Sequence, residues 1–239
     1  MVLNPQKTEC MVVATRQKQQ IAPLKLDLMV SDHSIRQVED HHLLGVTIDD
    51  KLSWAAHIDK VSKKISKNVF LLSKLKGFVD IDARLMFFNA HIRSQIDYCS
   101  TIWDGSAETH TNKLNSVYRR AAKHILPDPT LTTDQKMHEL KLLPLRNHLL
   151  FNKGVMMYKI WNENVPKYLS SMFSKTQPKY SNSRQNFDLP LPRIDLFKTS
   201  LCFSGSILWY TLPSHVKNCH SFLSFKASLF KHFLSHKPP

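Results

Sequence analysis

Between Leu43 and Gly77 the sequence passes from one hydrophobic period to another, and that change limits what the whole chain can become. Leu43-Leu44-Gly45-Val46-Thr47-Ile48 is a short, partly β-branched apolar run closed by Asp49-Asp50, which predicts a buried strand ending in a turn. From Ser53 onward, Ile58, Val61, Ile65, Leu72 and Leu75 recur at intervals of three, four and seven, the spacing of one helical face. Ser53 is placed to cap that helix and Gly77 to end it. Lys60, Lys63, Lys64, Lys67, Lys74 and Lys76 are interspersed. The stretch predicts a strand, a tight turn and a lysine-rich helix with an apolar underside and a cationic upper side.

On either side the periods stay separate. Before it, Cys10 to Ala14 reads as a strand, and Thr15–Ala22 as a polar loop. Leu24, Leu26, Leu28 and Val30 alternate with Lys25, Asp27 and Met29, which puts the leucines on one face of a strand. Ser31-Asp32-His33-Ser34 reads as a turn, after which Ile35 to Val38 returns antiparallel. After it, Asp80 or Asp82 caps a helix carrying Leu85, Phe88, Ile92 and Ile96. A third helix at about 107–126 turns Leu114, Val117, Ala121 and Ile125 inward and stops at Pro127-Asp128-Pro129. Further helices are expected near Thr133–Lys141, at Leu145–Asn162 with Leu149, Val155, Met156 and Ile160 inward, and near Ser221–His236, aligning Phe222, Phe225, Leu229 and Phe233. The expected class is α+β, a small N-terminal antiparallel sheet followed by a mainly α-helical bundle. Its divisions are a β module at 1–52, a helical domain at 53–173, a linker at 174–200 and a C-terminal helical module at 201–239.

Thirty-three Lys and Arg against nineteen Asp and Glu leave a net charge of +14, while a hydrophobic content of 42% argues for a packed core. A folded chain this basic suits a polyanion, nucleic acid before any anionic membrane surface. No run of about eighteen apolar residues is present, so no membrane span is expected. Four scattered cysteines and an N-terminus without a secretory pattern fit an intracellular setting, nuclear or cytoplasmic. Lysines one turn apart reach successive phosphates, and the planar fork of arginine suits phosphate still better. The candidate contacts are Lys60, Lys63, Lys64 and Lys67 on the first long helix and Arg119, Arg120 and Lys123 on the third. A merely solvated basic face is the plain alternative. Trp103 and Tyr118 lie nearby; their helical spacing places the rings in the core, with base stacking the alternative.

Candidate metal chemistry is weaker. His57-Ile58-Asp59 has the His-x-Asp spacing of an iron triad, but that triad belongs on a strand and these residues open a helix. Cys202, His215, Cys219 and His220 lack the close cysteine pair of a structural zinc site. With five glycines and no Gly-x-x-x-x-Gly-Lys loop, a phosphate cradle is not expected. Neither a catalytic residue nor a metal or cofactor is assigned.

Five segments carry a resemblance in order: Asn4-Pro5-Gln6-Lys7-Thr8-Glu9-Cys10-Met11; Leu44-Gly45-Val46-Thr47-Ile48-Asp49 with Leu52-Ser53-Trp54 and His57-Ile58; Asp97-Tyr98-Cys99 through Trp103; Pro166-Lys167-Tyr168-Leu169; and Leu208-Trp209-Tyr210-Thr211-Leu212-Pro213. From Asn4 to about Phe233 the chain resembles the C-terminal part of the reverse transcriptases of non-LTR retrotransposons, the jockey-like elements and their relatives. The resemblance implies a thumb and post-polymerase portion that grips RNA, DNA or hybrid duplex, with an upstream polymerase domain as a partner. That family's catalytic aspartates belong to a Tyr/Phe-Ala-Asp-Asp motif upstream of the Lys-Thr-Glu segment. Asp49-Asp50 follows Thr47-Ile48 and matches the later turn instead, so no catalytic residue carries over and polymerase activity is not expected of this chain. The alternatives are a structural piece that packs on a polymerase domain, or a decayed element without activity. Lys7–Trp54 is also similar to a segment named as the N-terminal part of AlkB-like oxygenases, without any catalytic residue of that class.

Overall fold

The strands are short. In the computed structural model, which describes residues 4–21, 25–30, 32–176 and 186–235, β1 (Glu9–Cys10) pairs with β4 (Arg36–Gln37), β2 (Met29–Val30) with β3 (His33–Ser34), and β5 (Asp40–Leu43) with β6 (Val46–Asp49). The last two pairings are antiparallel and the first is parallel. With helices through most of the remainder, the chain is α+β. Ala22, Leu24, Ser31, residues 177–185 of the expected linker and His236 of the last expected helix lie outside the described residues.

Several local expectations are corrected. Leu43–Ile48 is not one strand but the tip of a hairpin. Leu44 and Gly45 hold φ of 47° and 86°, the left-handed pair that a two-residue hairpin turn requires. Tyr98 packs against Gly45, and its hydroxyl donates to the Leu44 carbonyl at 2.5 Å. Ile35 does return against the leucines, its N–H donating to the Leu28 carbonyl at 2.7 Å, but Arg36–Gln37 forms β4, which runs parallel to β1. Leu26 and Leu28 remain 42% and 43% exposed, because β2 pairs with two residues and no layer among the described residues covers that face. The supposed polar loop contains α1 (Arg16–Ile21), tied down by Gln19, whose side-chain amide donates to the Asp50 carboxylate at 2.9 Å.

The long helix α2 (Ala55–Leu75) begins from an unusual corner: Leu52 and Trp54 both have positive φ, 51° and 63°. Ser53 Oγ accepts from Ala55 N at 3.3 Å. The stronger anchor is Asp49, whose carboxylate accepts from the backbone of Lys51, Ser53 and Trp54 at 3.2, 2.9 and 2.8 Å. Burial pushes this carboxyl up, but the N–H donors outweigh it and the net shift is downward. Asp49→Ala should therefore cost about 1–2 kcal/mol, the scale of a lost helix cap, seen as a lower midpoint in urea. Because the folded carboxyl sits below its unfolded value, this contribution is present above the ordinary carboxylate range and lost as pH falls through it. At the other end Gly77 does not take the left-handed conformation; α2 closes through N–H bonds from Phe78 and Val79 to the Leu75 carbonyl.

The helices that follow are α3 (Ile81–Phe88), continued through a π-helical turn (Asn89–Arg93) into α4 (Ser94–Asp97), then α5 (Ser100–Trp103) and α6 (Glu108–Ile125). The Asp80 side chain caps α3 by accepting from Ala83 N at 2.8 Å, as expected. Next come α7 (Thr133–Glu139), with a reciprocal Thr132–Gln135 capping box, and α8 (Leu145–Trp161). Then follow α9 (Lys167–Ser170), α10 (Asp195–Thr199), a second π-helical turn (Leu201–Gly205), α11 (Ser206–Thr211), α12 (Ser214–Lys217) and α13 (Phe222–Ser235).

Two apolar clusters meet at α8. The first gathers Ile58, Ile65 and Leu72 of α2, Phe88, Ile92 and Ile96, and Leu114, Tyr118 and Ile125 of α6, with Leu145 and Leu149 from α8. The second gathers Phe151, Met157 and Tyr158 from α8 with Trp209, Phe225, Leu229 and Phe233. A helix with apolar residues on both sides belongs between layers, and α8 takes that place. Gly154 lets α13 sit close, since a Cβ there would stand 2.9 Å from Leu229. Among the described residues no helix is long and apolar enough to cross a membrane.

Candidate nucleic-acid interface

Helices α2 and α6 pack along their lengths and run in the same direction. Near their starts, Asp59 of α2 accepts from Lys63 at 2.6 Å and from Lys113 of α6. Those bonds, Lys113 first and then Lys63, hold the Asp59 carboxyl down to about 2. Near their ends, Lys76 and Arg120 both act on His124, whose proton is disfavoured first by burial and then by these two charges. Arg84, 6% exposed, adds a further cation there, donating to the Asp80 carbonyl at 3.1 Å and to the His124 carbonyl at 3.2 Å. It serves the C-terminal carbonyl groups of α6, where a cation is favoured.

The seven expected phosphate contacts divide into two groups. Lys60 donates to Thr47 Oγ1 at 3.1 Å, Lys63 is paired with Asp59, and Arg119 is paired with Asp134 at the start of α7. Lys64, Lys67, Arg120 and Lys123 are exposed, and no ion pair joins them to a carboxylate among the described residues. Arg119 and Arg120 do not form one patch. Consecutive helical residues point about 100° apart, so Arg120 lies toward α2. Arg119 instead faces a cavity of about 950 Å³, which Asp134, His138 and Arg146 also line.

The rings nearest the second patch are core. Trp103 and Tyr118 are 1% and 2% exposed, the indole donating to the Tyr98 carbonyl at 3.2 Å and the phenol to the Leu143 carbonyl at 3.1 Å. Phe70 on α2 and Phe78 just beyond it are exposed rings that the sequence reading passed over. A signal was present for Phe70, which falls on the lysine side of α2, away from Ile58, Ile65 and Leu72.

The residues weighed for metal chemistry have other surroundings. His57 is buried, its Nδ1 accepting from Thr47 N at 3.3 Å, while Asp59 is held by its two lysines. The Cys219 thiol donates to the His215 carbonyl one turn earlier at 3.4 Å, and Cys202 lies in the second π-helical turn. Among the described residues no three His, Cys, Asp or Glu side chains converge as a metal would need.

Among the described residues one ion pair has both side chains buried. Lys153 of α8 meets Asp104, just after α5, at 2.9 Å, with the two side chains 7% and 4% exposed, and also donates to Ser204 Oγ at 2.9 Å. Asp104 Oδ1 has no hydrogen-bond partner among the described residues. Burial pushes the Asp104 carboxyl up to about 6 against the opposing pull of Lys153.

No protein-family model, no curated protein and no solved structure matches the chain.

Proposed function

We propose that this chain is a non-catalytic nucleic-acid-binding protein, the thumb and post-polymerase portion of a retrotransposon RNA-directed DNA polymerase. It grips the phosphates of RNA, DNA or hybrid duplex through the face shared by α2 and α6. The observation that carries the reading is the parallel seating of these helices, which leaves Lys64, Lys67, Arg120 and Lys123 exposed without carboxylate partners among the described residues. A surface whose charge were only for solubility would mix both signs, whereas here Asp59 and Asp134 are already paired with Lys63, Lys113 and Arg119. The ordered motifs support the polymerase identity. Their residues hold joints of the fold: Asp49 anchors α2, and Asp97 accepts from His148 and Asn152 of α8 at 2.5 and 2.8 Å.

A second reading, a packing piece for a neighbouring polymerase domain, is favoured by the exposed apolar residues of the N-terminal β region. Leu28, Met29 and Leu44 are 43%, 59% and 83% exposed. It predicts that co-expression with an upstream polymerase domain raises the soluble yield.

The two readings part in a binding assay with a labelled RNA–DNA duplex. The variant Lys64→Gln/Lys67→Gln/Arg120→Gln/Lys123→Gln should lose most of the affinity at moderate salt. Lys60→Gln/Lys63→Gln/Arg119→Gln should lose much less, because those three groups are already engaged. Equal losses in both variants would contradict the assignment of the face.

A further inference from the structure

The outward side of α2 is not lined by lysine alone. Lys63, Lys67, Phe70 and Lys74 follow at intervals of four, three and four, the spacing of a single stripe along a helix. Phe70 is 60% exposed, and Phe78, just past the helix end, is 87% exposed. Lys74 Nζ lies 5.3 Å from the Phe70 ring centre, within cation–π range. Arg120 and Lys76 both bear on His124 near the ends of α2 and α6. Lys67, Lys74, Lys76 and Arg120 have no ion pair with a carboxylate among the described residues.

Exposed rings alternating with unpaired cations suit one occupant better than others. A protein or domain that covered the two phenylalanines would also have to cover the surrounding lysines, at a large desolvation cost unless it were itself acidic. A duplex meets the cations but hides its base faces. A single strand presents both phosphates and unstacked bases, and base–aromatic stacking tolerates any sequence. We infer that the C-terminal end of α2 is a stacking platform for single-stranded nucleic acid, with Phe70 and Phe78 taking bases and Lys67, Lys74 and Arg120 taking the flanking phosphates. The inference rests on the phosphate-binding reading of the α2–α6 face. Phe70 and Phe78 are eight residues apart, with the end of α2 between them, so the two bases belong to separate stacks along the strand.

The test compares an unstructured single-stranded RNA of about 20 nucleotides with an RNA–DNA duplex of the same length, both labelled, using the full chain. Phe70→Ala/Phe78→Ala should weaken single-strand binding about tenfold or more and leave duplex binding and both salt slopes unchanged. Phe70→Trp/Phe78→Trp should keep or strengthen single-strand binding. Both side chains are largely exposed, so the variants should unfold at the wild-type temperature. Salt-dependent binding of both nucleic acids with no effect of the alanines would overturn the platform and leave the phosphate face standing. Loss on strand and duplex alike would also overturn it, as would a change in self-association alone, which would make the rings a protein-docking surface. Failure of the wild type to bind either form would overturn both readings.

Discussion

Asp104→Ala is expected to destabilise the fold by about 3–5 kcal/mol, because it leaves the Lys153 ammonium buried with the Ser204 hydroxyl in place of a carboxylate. Urea unfolding measures the loss directly. The pair is not thereby a source of net stability. The Asp104 carboxyl sits at about 6, above the ordinary 3.8, so the attraction of Lys153 does not offset the cost of burying the charge. Replacing both residues, as in Asp104→Leu/Lys153→Met, should therefore restore stability to near wild type or above it. The sign of the pH dependence follows from the raised value. Between about pH 4 and 6 the folded state holds the Asp104 proton more tightly than the unfolded chain. The group's contribution is thus fully present below this window and is lost as pH rises through it. Asp49 and Asp97 shift the other way, so the difference between wild type and Asp104→Asn, followed from pH 4 to 7, isolates the group. A wild-type advantage over Asp104→Asn that grows with pH would contradict the account.

Trp209→Ala should cost a similar amount, about 3–5 kcal/mol, and the damage should be local. The indole is 1% exposed and lies at the centre of the second cluster, 5.8 Å from the rings of both Trp161 and Phe187 and 6.1 Å from Phe225. The cavity left by alanine would loosen α11 and α13, whose apolar faces close around this ring. The first cluster draws on α2, α6 and the start of α8 and contains none of these rings. Hydrogen exchange should therefore quicken in α11 and α13 while α2 and α6 keep their protection, and phosphate binding should survive. Equal loss of protection across both clusters would show that they unfold as one unit.

The helices were the legible part of the sequence. Leu114, Val117, Ala121 and Ile125 repeat with the helical period because one face of α6 is buried, and they are 0–5% exposed as that period demands. The hairpin was hidden because its turn is Leu44-Gly45, with an apolar residue where Asn or Asp would mark the corner. The alternating Leu26 and Leu28 misled for the opposite reason: the period is real, but nothing among the described residues lies over the face it builds. In the candidate interface, the Lys63–Asp59 pair was readable from its four-residue spacing. The pairing of Arg119 with Asp134 and of Lys113 with Asp59 depends on which helices become neighbours, as does the burial of Lys153 against Asp104. Composition counted all these charges as equals. Packing separates the neutralised ones from Lys64, Lys67, Arg120 and Lys123.

That separation is tested most directly by the salt dependence of duplex binding. Each phosphate neutralised contributes a slope of about −0.9 in log K against log salt, so four unpaired cations predict a wild-type slope of at least about −3.6. Affinity should then fall roughly a hundredfold between 50 and 200 mM salt. The Lys64→Gln/Lys67→Gln/Arg120→Gln/Lys123→Gln variant should lose nearly all of that slope. A wild-type slope near zero, or a slope that these four substitutions leave unchanged, would contradict a phosphate-gripping face on α2 and α6.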